Sequence, residues 1–167
     1  MGISGAVCVW LALTAIGSSQ DVSLQETAKP KFDPIAATVP IVTQVADLVN
    51  QERAKYKLPA LRVAERLNVT ARWHAMDMAI GNYFDHTDRQ GRTVGQRLSS
   101  MGYRYNYCGQ NIAAGQKTPA EVVAAWMNSP PHRENILRRE FREMGLAYVE
   151  NENSKYTRYW VQDFGTP

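Results

Sequence analysis

The stretch that decides the fold runs from Phe84 to Ile136. It opens on Phe84-Asp85-His86, passes through Gly109-Gln110-Asn111-Ile112-Ala113, and closes on Ser129-Pro130-Pro131-His132-Arg133-Glu134-Asn135-Ile136. Two of the three histidines lie in it, with the only cysteine beyond the first ten residues. His86 and His132 stand 46 positions apart, so only tertiary structure can bring them together. Each adjoins turn-forming residues, and Gln110 to Ala114 reads as a short buried strand between them. Asp88 and Glu134, each two residues beyond a histidine, are the candidate carboxylate partners.

Between those markers, Thr93-Val94-Gly95-Gln96 fits a capping box opening a short helix that ends at Gly102. Thr118-Pro119-Ala120-Glu121 is a stronger helix start, with Val122, Val123, Trp126 and Met127 on the buried face and Pro130-Pro131 as the stop. On the N-terminal side, Ile41, Val45, Leu48 and Val49 share one helical face, and Pro59 ends that helix. A second helix spans Ala64 to Tyr83, with Leu67, Ala71, His74, Ala75 and Met78 on one stripe. There His74 reads as a satisfied core histidine. On the C-terminal side the period changes to two. Met144–Val149 and Tyr156–Phe164 read as an antiparallel hairpin. Helices first and a hairpin last predict an α+β layered domain rather than a nucleotide-binding βαβ fold.

The ends are different in kind. Val7 to Ile16 is a short apolar run followed by Gly17-Ser18-Ser19-Gln20, which reads as a secretory signal over residues 1–20. Residues 21–40, with three prolines, read as a linker, leaving 41–167 as the domain. The expected location is secreted or cell-envelope. No later segment is apolar enough to span a membrane. With the leader removed, Cys108 stands alone and no intramolecular disulfide can form, so the fold relies on its core.

Charge is uninformative about partners. The net charge is +3 over 167 residues with both signs interspersed, which gives no nucleic-acid signature. The cluster Arg133, Arg138, Arg139 and Arg142 reads as a solvated face. No phosphate loop, H-E-x-x-H, G-x-S-x-G or paired-cysteine motif is present. Cys108 reads as a buried small side chain rather than a nucleophile. Ser129, three residues before His132, has no glycine elbow or oxyanion loop beside it.

Five segments in order resemble the motif series of bacterial CAP-superfamily domains: Leu48-Val49-Asn50-Gln51-Glu52-Arg53, His74-Ala75-Met76-Asp77-Met78-Ala79, Phe84-Asp85-His86, Gly109-Gln110-Asn111-Ile112-Ala113, and Trp126 through Ile136. That superfamily joins cysteine-rich secretory proteins, antigen 5 and pathogenesis-related proteins. The resemblance implies a three-layer α-β-α sandwich with a small, mainly antiparallel sheet. It also implies a central cleft holding two histidines and two acidic residues, in some members with zinc or another divalent cation. His86 and His132 match the histidines. The acidic positions fall on Gln110 and near Ser129, both neutral. An amide can hydrogen-bond but cannot serve as a general base.

The expected function is therefore an exported, non-enzymatic domain whose cleft contains His86, Gln110 and His132. Its ligand would be a lipid, a cell-envelope component or a protein. The competing expectations are a zinc-assisted hydrolase on His86 and His132, with Asp88 or Glu134 as its carboxylate, and a purely structural extracellular module.

Overall fold

A computed structural model describes residues 34–167. The predicted signal and residues 21–33 of the predicted linker lie outside the described residues. The chain order is α1 (Pro34–Lys55), β1 (Arg62–Val63), α2 (Glu65–Gly81), α3 (Val94–Ser100), β2 (Tyr107–Ala114), α4 (Pro119–Asn128), α5 (Pro130–Leu137), β3 (Glu143–Glu150) and β4 (Arg158–Thr166).

The four strands form one sheet in the order β1-β3-β4-β2. Only the β1–β3 pair is parallel; the others are antiparallel. The central strand β4 is buried from Tyr159 to Gly165, because both its faces are covered. Tyr159 and Val161 pack with Ile112 and Ala147 against Ala71, Ala75 and Met78 of α2. Trp160 and Phe164 pack on the opposite face, with Val45 and Val49 of α1, Val122 and Trp126 of α4, and Ile136 of α5. The expected α-β-α sandwich is the fold observed.

Local chemistry accounts for most boundaries. The apolar stripe expected on α2 is buried in full, His74 included. The helix ends at Asn82, which takes the left-handed conformation at φ 53° and ψ 44°, a geometry that asparagine tolerates better than most residues. The Thr93–Gln96 capping box forms in both directions. Thr118 accepts from the Glu121 amide at 3.1 Å, while Glu121 Oε2 reaches Lys117 N at 2.8 Å. Thr118→Ala removes an N-cap acceptor and should lower stability by about 1 kcal/mol, measured by urea unfolding with an unchanged slope.

Two boundaries differ from the sequence reading. Residues 34–40 of the predicted linker are helical, and α1 runs through Pro40. Proline's fixed φ is already helical, and Pro40, six residues beyond Pro34, forgoes the backbone bond to the Ala36 carbonyl. Pro130-Pro131 ends α4 and also begins α5. Ser129 joins the two helices with an extended backbone, φ −102° and ψ 115°. The first-turn positions of a helix need no N–H donor, so the same dipeptide serves as stop and start.

Candidate functional site

β2 is an edge strand, and the predicted cleft residues gather along it. His86 lies in the loop after α2, on one side of the sheet. His132 lies in the first turn of α5, on the other. Gln110 is on β2, directly opposite Asp163 of β4.

Asp163 sets the geometry. It is fully buried, and its Oδ1 accepts from Gln110 Nε2 at 2.8 Å. That bond fixes which way the amide points, so Gln110 Oε1 faces outward and accepts from His86 Nδ1 at 2.9 Å. With Nδ1 donating, the neutral His86 ring leaves Nε2 as an acceptor. Burial pushes the Asp163 carboxyl up to about 6, against the opposing pull of the Gln110 bond and the Arg97 charge.

A second cross-strand pair holds the other histidine. Asn111 faces Gln162 of β4. Its Nδ2 donates to the His132 carbonyl at 3.1 Å and to Gln162 Oε1 at 3.3 Å. Asn135 of α5 donates to Asn111 Oδ1 at 3.0 Å and to the Gln110 carbonyl at 3.3 Å. α5 is thus tied to β2 by amides, and Trp126 Nε1 adds a bond to the Ile112 carbonyl at 3.3 Å. Burial, and then the proximity of His86, lowers the His132 pKa, which favours its neutral form. His132 and Ser129 line a groove of about 380 Å³ with Phe84, Ile112, Trp126 and Tyr156.

The two candidate carboxylates are not brought to this site. Asp88 is buried and paired with Arg92 Nε at 2.8 Å, facing a different cavity. Glu134 is exposed and paired with Arg138 at 2.9 Å. Ser129 joins two helices and lies beside the groove, and no hydrogen bond links it to His132. Burial pushes the Cys108 thiol up, as befits a side chain packed beside Leu98 and Tyr103. His74 is only half satisfied: Nε2 meets the Asp85 carbonyl at 2.9 Å, and Nδ1 has no partner.

The donor set does not fit a zinc centre. Two imidazoles and one amide lie along the β2 edge, the histidines on opposite sides of the sheet, and among the described residues no group of three or more His, Cys, Asp or Glu could hold a metal. A catalytic zinc takes three protein ligands. The residue that sequence reading missed is Asp163. The cleft does have a carboxylate, one strand behind the position where sequence motifs place it. No local pattern signals this, because the Gln110–Asp163 pairing exists only in the strand register.

Two imidazoles and a carboxamide lie at the edge of an α-β-α sandwich, with the nearby acid Asp163 withdrawn into the core. The chain belongs to the CAP, cysteine-rich secretory protein, family, which it matches over residues 46–164. A protein named YkwD of Bacillus subtilis (strain 168), described as uncharacterized, is 43% identical over 121 residues, covering 72% of this chain and 45% of that protein. An extracellular protein containing a SCP domain from Bacillus anthracis has a similar structure. Its TM-score is 0.67 at 30% identity, over 75% of this chain and 40% of that one. An outer surface protein from Borrelia burgdorferi shares the fold, with a TM-score of 0.72 at 23% identity, over 77% and 94% of the two chains. This chain spans less than half the length of the two Bacillus proteins.

Proposed function

We propose that this CAP domain is an exported, non-enzymatic binding module whose ligand sits in the groove beside His132 and reaches the β2 edge where His86 and Gln110 meet. The ligand is a protein, lipid or cell-envelope component. The observation that carries this reading is the Asp163–Gln110–His86 chain of hydrogen bonds. It spends the cleft's carboxylate on orienting an amide, and it leaves an imidazole acceptor facing out. Such an arrangement recognises an N–H or O–H donor. It offers no carboxylate at the surface to take a proton from water. The extracellular description of the Bacillus anthracis relative supports export. Among the described residues no helix is long and apolar enough to cross a membrane.

The test uses purified protein with three probes: peptidoglycan sacculi, phospholipid vesicles and an extended peptide library. Saturable binding to one of them, weakened about tenfold or more by His132→Ala, is the expected result. In parallel, the protein should leave peptide and ester substrates intact and take up no zinc at micromolar concentration. Hydrolysis that disappears in His86→Ala and His132→Ala would overturn the reading in favour of an enzyme.

A further inference from the structure

β2 lies at the edge of the sheet, and the phase of its ladder decides which backbone groups face outward. Gly115 N donates to the Arg158 carbonyl at 2.9 Å, continuing the β2–β4 register. In an antiparallel ladder the bonded positions alternate. Gly109, Asn111 and Ala113 therefore bond β4, while Gln110, Ile112 and Ala114 turn their N–H and C=O groups away from the sheet.

Such an edge is ordinarily guarded against pairing with a further strand. Here the guards are side chains from the neighbouring helices. Asn135 Nδ2 donates to the Gln110 carbonyl at 3.3 Å, and Trp126 Nε1 donates to the Ile112 carbonyl at 3.3 Å. The series stops one step short. Among the described residues nothing caps Ala114, and no bulge, charge or proline interrupts Ile112-Ala113-Ala114. Ala114 is half-buried and lines the groove beside His132. That groove straddles the edge. Phe84 and Tyr156 stand on the α2 side, with ring centroids 5.7 Å apart. Ala125, Ser129 and His132 stand on the α4–α5 side, and no Asp, Glu, Lys or Arg lines the groove.

Resting on the reading of this groove as the binding site, we infer that its ligand is an extended peptide, uncharged over the bound segment, which adds to the sheet as a further strand beside Ala114. The Ala114 N–H donates to a peptide carbonyl, and the Ala114 carbonyl accepts from a peptide N–H. Successive side chains of a strand point to opposite faces. One therefore falls against Phe84 and Tyr156, and the next against Ser129 and His132. Backbone pairing supplies affinity, and the two flanks select the side chains. A lipid tail brings no amide to the edge, and a charged headgroup or polymer meets no counter-charge in the groove.

The test is a library of capped, uncharged hexapeptides, read by calorimetric titration beside phospholipid vesicles and peptidoglycan sacculi. At least one peptide should saturate with Kd at or below about 1 mM. Among its single N-methyl forms, one should lose about tenfold or more in affinity and those at the two adjacent residues less than about threefold, because only every second N–H faces β2. Ala114→Pro removes a donor from the outer edge and leaves the β2–β4 ladder intact. It should abolish peptide binding while unfolding in urea like the wild type. Phe84→Ala, a change at a side chain 40% exposed, should weaken binding about fivefold. The inference is overturned if no peptide saturates below about 10 mM, if the N-methyl losses do not alternate, or if Phe84→Ala or folded Ala114→Pro protein binds as the wild type does. Vesicles or sacculi bound in a manner sensitive to His132→Ala, with no peptide bound, would overturn it and leave the groove standing as the binding site. Binding of none of the three probes would overturn both.

Discussion

Gly145→Ala is expected to abolish the folded domain. Gly145 lies on the face of β3 that meets α2, and a Cβ there would overlap the Leu67 carbonyl carbon and the Asn68 amide nitrogen. Both are backbone atoms of a helix, so no side-chain rotation relieves the clash. The two elements are also stitched at this point: the Leu146 N–H donates to Asn68 Oδ1 at 2.9 Å. Moving α2 outward would open the packing of Ala71, Ala75 and Met78 on the sheet. The cost should exceed about 4 kcal/mol, a large part of the roughly 5–15 kcal/mol that holds such a domain together. Far-ultraviolet circular dichroism and urea unfolding measure it. A variant with a native-like transition would show that the helix can lift from the strand, and that the close approach is not required.

Asp163→Asn should uncover a strong acid sensitivity that the wild-type protein conceals. Two buried groups titrate in opposite senses. His74 has its pKa lowered to about 4, by burial first and then by the Arg97 charge. It is neutral in the fold and binds a proton more readily when unfolded, so its contribution is complete above the unfolded value near 6.5 and lost as pH falls toward 4. Between pH 7 and pH 4 that loss is about 3 kcal/mol. Asp163 is the reverse. Its pKa is raised by burial to about 6 from 3.8, so the fold favours its protonated form. Its contribution is complete below about pH 4 and lost as pH rises through 6, which makes acidification stabilising by about 2 kcal/mol.

The two terms nearly cancel in the wild type. Asparagine at 163 keeps an oxygen for Gln110 Nε2 and removes the compensating titration. Its stability should therefore fall by about 3 kcal/mol between pH 7 and pH 4. Urea unfolding at several pH values, set against the wild-type curve, reads the difference directly. Asp77 and Asp88 also face His74, and their acid sensitivity is common to both proteins. Parallel curves for variant and wild type would mean that Asp163 is ionised throughout.

Much of this architecture is legible in the order of the residues. The capped starts at Thr93 and Thr118, the buried stripe of α2 and the C-terminal hairpin all rest on local chemistry: cap residues, a 3.6-residue period and alternation. Those rules act within a few residues, so they survive without tertiary context. The motif series points to the family, and it locates His86 and His132 as the points where a cleft is built. Local rules fail where one residue serves two elements or none. Pro130-Pro131 reads as a stop, and only the packing of Ile136 in the core beside α4 shows that it also starts α5. Pro40 reads as linker, although the helix passes through it.

Residue order alone therefore suffices for most of the elements, their succession, the sandwich and the two histidines. What those histidines face is a property of the folded chain. Sequence spacing offers Asp88 and Glu134, each two residues past a histidine, as candidate acids. The fold turns Asp88 toward Arg92 and a separate cavity, and it leaves Glu134 outside on Arg138. It brings in Asp163 instead, because an antiparallel register sets residues 53 positions apart side by side. A carboxylate behind Gln110, rather than in its place, turns the amide oxygen toward His86, and that distinction exists only across two strands.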